Sequence, residues 1–268
     1  MLRFTKAHAY GNDFLYVRED DVPGFNANTL AALARELCDR HSGIGADGLM
    51  LYRLTPSGAA MRLLNADGST SEVSGNGVRG LAAILVRENP EADLEIVVQT
   101  EAGDKRLKRI GHEGARHTFV AAMGQPRELR RVTAEVSGEA LDLVVLDFGN
   151  PQCVVLGPLP DQERFQQLGP ALENHHLFPA RTNVEFAQVE NPSTVRIVIW
   201  ERGVGPTMSS GTGSCASLIA AAAFGGALRR ADVIAPGGTQ HVEWRDDDVY
   251  LTGWAEVLFD GIWVRGPG

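Results

Sequence analysis

One turn occurs twice in this sequence. Ser74-Gly75-Asn76-Gly77 and Ser210-Gly211-Thr212-Gly213 each follow a polar loop and open a strongly apolar segment, and the two serines stand 136 residues apart in a chain of 268. In the first half a short strand, Met61 to Leu64, leads through the polar loop Asn65 to Val73 into a segment bearing Val78, Leu81, Ala82, Ile84 and Leu85, ending near Arg87. In the second half the strand-like Asn183 to Phe186 and a strand from Val195 to Trp200 lead through the loop Glu201 to Ser209 into an apolar segment reaching about Phe224. Helices so apolar on every side must be buried on most sides. The repeat of strand, polar loop, Ser-Gly-x-Gly and buried helix implies an internal duplication. The simplest fold that buries two such helices is α+β, with two pseudo-symmetric domains, each a mostly antiparallel curled sheet around a central helix. The halves are expected at 1–117 and 118–268, with the last strand packing back on the first half.

Other elements follow from periodicity. Arg3 to Val17 reads as a strand broken by Gly11-Asn12-Asp13. Leu30, Leu33 and Leu37 recur at helical spacing in Thr29 to Arg40, with Asn28 as the expected cap and Gly43-Ile44-Gly45 as the stop before a strand at Leu49 to Leu54. Strands are expected to dominate from Leu94 to about Leu146, with Gly103, Gly111, Gly114 and Gly138 marking turns.

Composition narrows the function classes. Hydrophobic residues make up 44% and charged residues 22%, as in ordinary globular enzymes. A net charge of −9 and a pI near 5.3 repel a polyanion, and the single strong basic run, Lys105-Arg106-Leu107-Lys108-Arg109, has no aromatic residues interleaved for stacking, so nucleic acid is not an expected partner. Cys38, Cys153 and Cys215 are too few and too scattered for a disulfide framework or a zinc site, which suits a reducing compartment. The longest apolar run, Leu218 to Phe224, is too short to span a bilayer, and the N-terminus lacks a signal pattern, so no membrane association and a cytoplasmic location are expected. The seven histidines show no metal-ligand spacing; His175-His176 reads as a surface pair whose rings diverge.

The chemistry concentrates at the two serine turns. The first N–H groups of a helix have no partner within it, and the macrodipole adds partial positive charge there, so an anion is stabilised. Glycines beside the serine let backbone approach a ligand closely, and Gly75-Asn76 with Gly211-Thr212 are expected to grip one α-carboxylate between two facing helix ends. Taken singly, each serine is simply a helix N-cap. Gly43 to Gly48 matches a dinucleotide fingerprint by letter but runs from helix to strand, the reverse of the required order. Gly75 to Gly80, with Glu101 downstream, is a better match, yet nine polar residues separate it from the preceding strand where a tight turn is needed. No Gly-x-Ser-x-Gly elbow is present.

Six segments, His8-Ala9-Tyr10-Gly11-Asn12-Asp13-Phe14, Asp39 to Gly48, Asn65-Ala66-Asp67-Gly68-Ser69, Gly75-Asn76-Gly77-Val78-Arg79, Gly149-Asn150-Pro151 and Glu201-Arg202-Gly203-Val204-Gly205, together resemble the diaminopimelate epimerase family. The resemblance implies a cofactor-independent, metal-free isomerase that interconverts LL- and meso-diaminopimelate in lysine and peptidoglycan precursor synthesis, usually as a homodimer. It places the family's two catalytic cysteines, whose thiols are acidified by helix N-termini, at Ser74 and Ser210, and the family's histidine after Gly-Asn-Pro at Gln152. By the same matching Asn12, Asn65, Asn150, Asn183 and Arg202 hold the distal end of the amino-acid substrate. Gly75, Asn76, Gly211 and Thr212 take the reacting carboxylate, Glu201 and Gln152 face the α-amino group, and Cys215 only packs. A serine hydroxyl is a far weaker acid than a thiol, so two alternatives stay open: a same-fold one-base isomerase with Glu201 as its titratable group, and an amino-acid-binding relative without chemistry.

Overall fold

The computed structural model describes residues 1–87 and 95–264, so Leu94, the expected start of the strand-rich stretch, lies outside them. The chain forms two compact units, Met1–Ala121 together with the residues from Gly253 onward, and Ala122–Thr252.

The first unit contains β1 (Leu2–Ala9), β2 (Asn12–Arg18), α1 (Ala27–Cys38), β3 (Gly48–Thr55), β4 (Gly58–Asn65), the two-residue β5 (Thr70–Ser71), α2 (Gly75–Arg87), β6 (Glu95–Thr100), β7 (Gly103–Glu113) and β8 (Arg116–Ala122). Gly11 and its neighbour make a hairpin turn between β1 and β2, which pair antiparallel, so the opening is two strands. Two pairings, β2 with β3 and β4 with β6, are parallel, and each is bridged by a helix, as a parallel crossover requires. The central helix α2 touches β1, β2, β6 and β7, so the sheet curls around it. Alternation along β2 divides its side chains: Leu15 and Val17 join Leu30, Leu33 and Leu37 of α1 in an outer core, while Tyr16 sends its hydroxyl to the Gly77 carbonyl of α2 at 2.9 Å. A strand covered on both faces needs the near-continuous burial that Asp13 to Val17 shows.

Local structure corrects two sequence expectations. Asn26, not Asn28, caps α1: its Oδ1 accepts from the N–H groups of Asn28 at 3.0 Å and Thr29 at 3.1 Å, because the helix begins at Ala27 and Asn28 already supplies one of the unpaired donors. Gly111 lies inside β7 and makes no turn, while Glu101 falls in the turn after β6. Glycine is required where α2 meets the sheet. A β-carbon on Gly80 would overlap the hydroxyl of Tyr16, which is 1% exposed and fixed by its bond to Gly77. The variant Gly80→Ala is expected to lower stability by about 1–3 kcal/mol, read as a reduced urea midpoint at unchanged slope. Gly77→Ala should cost less, since the atom it meets is the flexible end of Met50.

The second unit repeats the order. It contains β9 (Arg127–Val136), β10 (Glu139–Asp147), β11 (Pro151–Leu156), α3 (Gln162–Glu173), β12 (Asn183–Asn191), β13 (Thr194–Glu201), β14 (Gly205–Thr207), α4 (Gly211–Ala220), β15 (Arg230–Ala235), β16 (Gly238–Trp244) and the start of β17 (Val249–Trp263). Again two pairings are parallel, β11 with β12 across α3 and β13 with β15 across α4. The helix α4 touches β11, β12, β13, β15 and β16, and runs on through a π turn at Ala221–Gly225 to a left-handed Gly226. Its apolar surface, with Cys215 at 0% exposure, packs in one core with Val154, Ile197, Ile199 and Val242. On the other side of the sheet Phe165, Leu168 and Leu172 of α3 pack with Val184 and Phe186. α3 therefore stands where α1 stands in the first unit. His175 and His176 follow it with ring centroids 4.1 Å apart; the rings stack instead of diverging, in a turn where His175 Nε2 lies 3.2 Å from the Glu135 carbonyl.

Candidate active site

Each unit presents its central helix start in the same way. Ser74 Oγ accepts from the Gly77 N–H at 3.1 Å and its carbonyl from the Val78 N–H at 2.8 Å. Ser210 Oγ accepts from the Gly213 N–H at 3.1 Å and its carbonyl from the Ser214 N–H at 3.0 Å. Both serines are thus N-caps with matched geometry. A serine in this position points a hydroxyl at the mouth of the helix, beside the N–H groups of Gly75 and Asn76 or of Gly211 and Thr212. Thr212 adds a second hydroxyl, 3.4 Å from Ser210 Oγ.

In the first unit Asp47 draws the expected residues together. Its Oδ2 accepts from Asn12 Nδ2 at 2.7 Å and from the Asp13 N–H at 3.0 Å, and its carbonyl accepts from the Ala66 N–H beside Asn65. Asn12 Oδ1 in turn accepts from Asn76 Nδ2 at 3.2 Å, and Asn76 Oδ1 from the guanidinium of Arg79. Arg79 is a buried cation on α2, 5.5 Å from the centre of the Tyr10 ring. Arg40 ties Asp13 to Asp47 at 2.7 and 2.8 Å, and Lys6 reaches Asp13 at 2.9 Å. Burial acts to raise the Asp13 carboxyl, but the bonds from Arg40 and Lys6 outweigh it and hold it below the usual carboxylate range. Asn65 stands apart from this chain of side chains, bonded through Nδ2 to Ser69 Oγ at 3.0 Å.

In the second unit the expected residues form one stitched corner. Asn183 Oδ1 accepts from the Arg202 N–H and its Nδ2 donates to the Pro151 carbonyl, both at 3.0 Å, so it joins the Gly149-Asn150-Pro151 turn to the Glu201-Arg202 loop. Gln152, fully buried, donates through Nε2 to Asn150 Oδ1 at 2.7 Å. Glu173 of α3 holds the same loop from behind, accepting from the Gly203 N–H at 2.8 Å, Arg181 at 3.1 Å and Trp200 Nε1 at 2.8 Å. Three residues were not selected from sequence: Asp47, Glu173 and Glu185. Asp47 belongs to a glycine-rich segment whose loop character hides its bonds, and Glu173 closes a helix that Asp161, Phe165, Leu168 and Leu172 signal by cap and spacing. Glu185 is a charged residue between Val184 and Phe186 on a strand buried on both faces, a sign of cost that sequence does carry.

The three cysteines are buried, Cys215 within α4 itself; burial pushes the Cys38 thiol up to about 12 and Cys153 higher still. Among the described residues no group of His, Cys, Asp and Glu could hold a metal ion, and no helix is long and apolar enough to cross a membrane.

Two α+β units, each with a serine-capped helix inside a curled sheet, define a fold shared with racemases and epimerases. A crystal structure of a probable proline racemase from Agrobacterium radiobacter superposes with a TM-score of 0.75 at 16% identity, covering 100% of this chain and 94% of that one. A hydroxyproline epimerase from Agrobacterium vitis superposes with a TM-score of 0.68 at 17% identity, over 97% of this chain and 90% of that one. The family model for diaminopimelate epimerase matches residues 4–129 and 144–258. Proteins named diaminopimelate epimerase from Desulforudis audaxviator and Pelotomaculum thermopropionicum are 44% and 38% identical, over 98% and 97% of this chain and 100% and 98% of their own lengths. The chain belongs to the diaminopimelate epimerase family, and its class is that of an isomerase.

Proposed function

We propose that this chain interconverts LL- and meso-diaminopimelate without a cofactor, moving the α-proton through Ser74 and Ser210. The observation that carries the proposal is the pair of serine caps, bonded alike at 3.1 Å to the third residue of two duplicated central helices, in a member of this family. Inversion at an α-carbon needs a proton acceptor on one face and a donor on the other, and two hydroxyls at two helix mouths supply that pair. The N–H groups of Gly75, Asn76, Gly211 and Thr212 are the donors for the reacting carboxylate, whose extra charge in the carbanion-like transition state they stabilise. Glu201 and Gln152 take the α-amino group. Asn12, Asn65, Asn150 and Arg202 take the distal amino acid, and Asn183, whose amide already grips Arg202 and Pro151, fixes Arg202 for that task. A cytoplasmic homodimer serving lysine and peptidoglycan precursor synthesis goes with this assignment.

Incubation with LL-diaminopimelate in deuterated water, followed by NMR, tests it. Inversion accompanied by α-deuteration is the expected result. Exchange or loss of substrate without inversion would overturn it in favour of a one-base isomerase, and thermal stabilisation by the amino acid with no exchange would overturn it in favour of a binding protein.

A further inference from the structure

The structure assigns a positioning and proton-holding role to Glu185: we infer that its carboxyl is the acid–base partner of Ser210. The inference rests on the function proposed above and concerns the second unit alone.

Three observations place the group. Along β12, Val184 and Phe186 enter the core beside α3, so Glu185, like Ala187, faces α4. Its side chain reaches the first turn of that helix: a β-carbon on Gly213 would lie 2.6 Å from Glu185 Oε1 and 3.1 Å from Ser210 Oγ, so the carboxyl and the serine hydroxyl border the same gap, which exists because residue 213 has no side chain. Finally, Glu185 is fully buried and neither carboxyl oxygen has a hydrogen-bond partner among the described residues. The Oε1 of buried Gln152, on the neighbouring strand and the same sheet face, is likewise unsatisfied. A buried carboxyl with nothing to bond is costly and calls for an explanation, and a role in proton transfer supplies one. Burial, and after it the Glu201 carboxylate, raise Glu185 well above the ordinary carboxylate range, which brings it closer to the range in which a group can both accept and return a proton.

The role follows from what serine lacks. A thiol at a helix mouth ionises by itself, whereas a hydroxyl needs a partner to accept or supply its proton. When Ser210 Oγ takes the α-proton, the Cα–H bond breaks, a new O–H forms, and the proton that Ser210 already carried passes to the Glu185 carboxylate. In reverse, the Ser210 O–H proton goes to the carbanion and the neutral Glu185 carboxyl restores it. Charge and protons balance in both directions, with a side-chain rotation or one bridging water closing the gap.

Glu185→Gln keeps the size and shape of the side chain but cannot transfer a proton. Two stereoisomers of diaminopimelate, each followed by α-proton exchange in deuterated water, separate this role from a structural one. The variant is expected to exchange one epimer at a rate near that of the unaltered protein and to lose at least about a hundredfold on the epimer whose α-proton faces Ser210, with KM little changed. Adding Ser210→Cys, which supplies a self-ionising group, should restore most of that loss. Equal rates with both epimers in Glu185→Gln, or an equal loss on both that cysteine does not restore, would overturn the role of Glu185 while leaving the epimerase assignment intact. Absence of exchange in the unaltered protein would instead remove the assignment on which it stands.

Discussion

Changing both Ser74 and Ser210 to cysteine is expected to raise turnover of diaminopimelate by about a hundredfold or more, with KM changed by no more than a few-fold. The family resemblance puts cysteine at those two positions, and the hydroxyl is the weaker acid by several orders of magnitude. A thiol of ordinary pKa near 8.5 is lowered further at a helix N-terminus, so near neutrality thiolate and thiol are both available, which is the condition for efficient general acid–base transfer. The surrounding backbone is already suited: each serine accepts from the third residue of its helix, and sulfur can occupy the same place. Iodoacetamide gives a second readout. The unaltered protein should keep its activity under alkylation, because Cys38, Cys153 and Cys215 are all buried and burial raises the first two thiols. The double variant should lose activity on alkylation and be protected by substrate. A double variant that binds diaminopimelate yet turns it over no faster would show that acidity is not what limits the serine enzyme.

Removal of either hydroxyl is the complementary experiment. Ser74→Gly and Ser210→Gly are each expected to lower kcat by about a thousandfold, and the pair together by little more, because donor and acceptor act as one unit and losing either stops inversion. Glycine is the appropriate replacement. Alanine would also remove the cap and cost about 1 kcal/mol of stability, whereas glycine costs only a few tenths at an N-cap. Denaturation midpoints close to that of the unaltered protein would therefore accompany the loss of rate. A single variant retaining more than a tenth of the original kcat would mean that its serine caps a helix and does nothing more.

Much of the architecture was legible because its strongest signals are periodic. The duplicated Ser-Gly-x-Gly turn and the apolar segments behind it foretold two curled sheets about two central helices, and the pairing of β2 with β3 and of β11 with β12 repeats that symmetry strand by strand. α1 was readable from Leu30, Leu33 and Leu37. Its counterpart α3 was missed, although Phe165, Leu168 and Leu172 have helical spacing behind the Asp161 cap, because Gly169 and Pro170 interrupt the pattern and suggest a loop. Among the site residues, the asparagines could be named from the family pattern, but which bonds they make could not. Asn183 spends both ends of its amide on backbone, and Asn12 is held between Asp47 and Asn76. Asp47 and Glu173 escaped selection for a shared reason: their importance lies in what they touch in three dimensions, while in sequence each is an ordinary acidic residue at the end of a loop or a helix. Glu185 differs, because a charge between Val184 and Phe186 in an apolar strand is a signal the sequence does carry.

A crystal structure with meso-diaminopimelate bound, at a pH where the enzyme turns over, would test the central assignment most directly. The expected result has one α-carboxylate on the N–H groups of Gly75, Asn76, Gly211 and Thr212, with Ser74 Oγ and Ser210 Oγ on opposite faces of the same α-carbon. An amino acid that engages only one of the two serine turns, or that binds elsewhere with both hydroxyls remote from its α-carbon, would contradict the account.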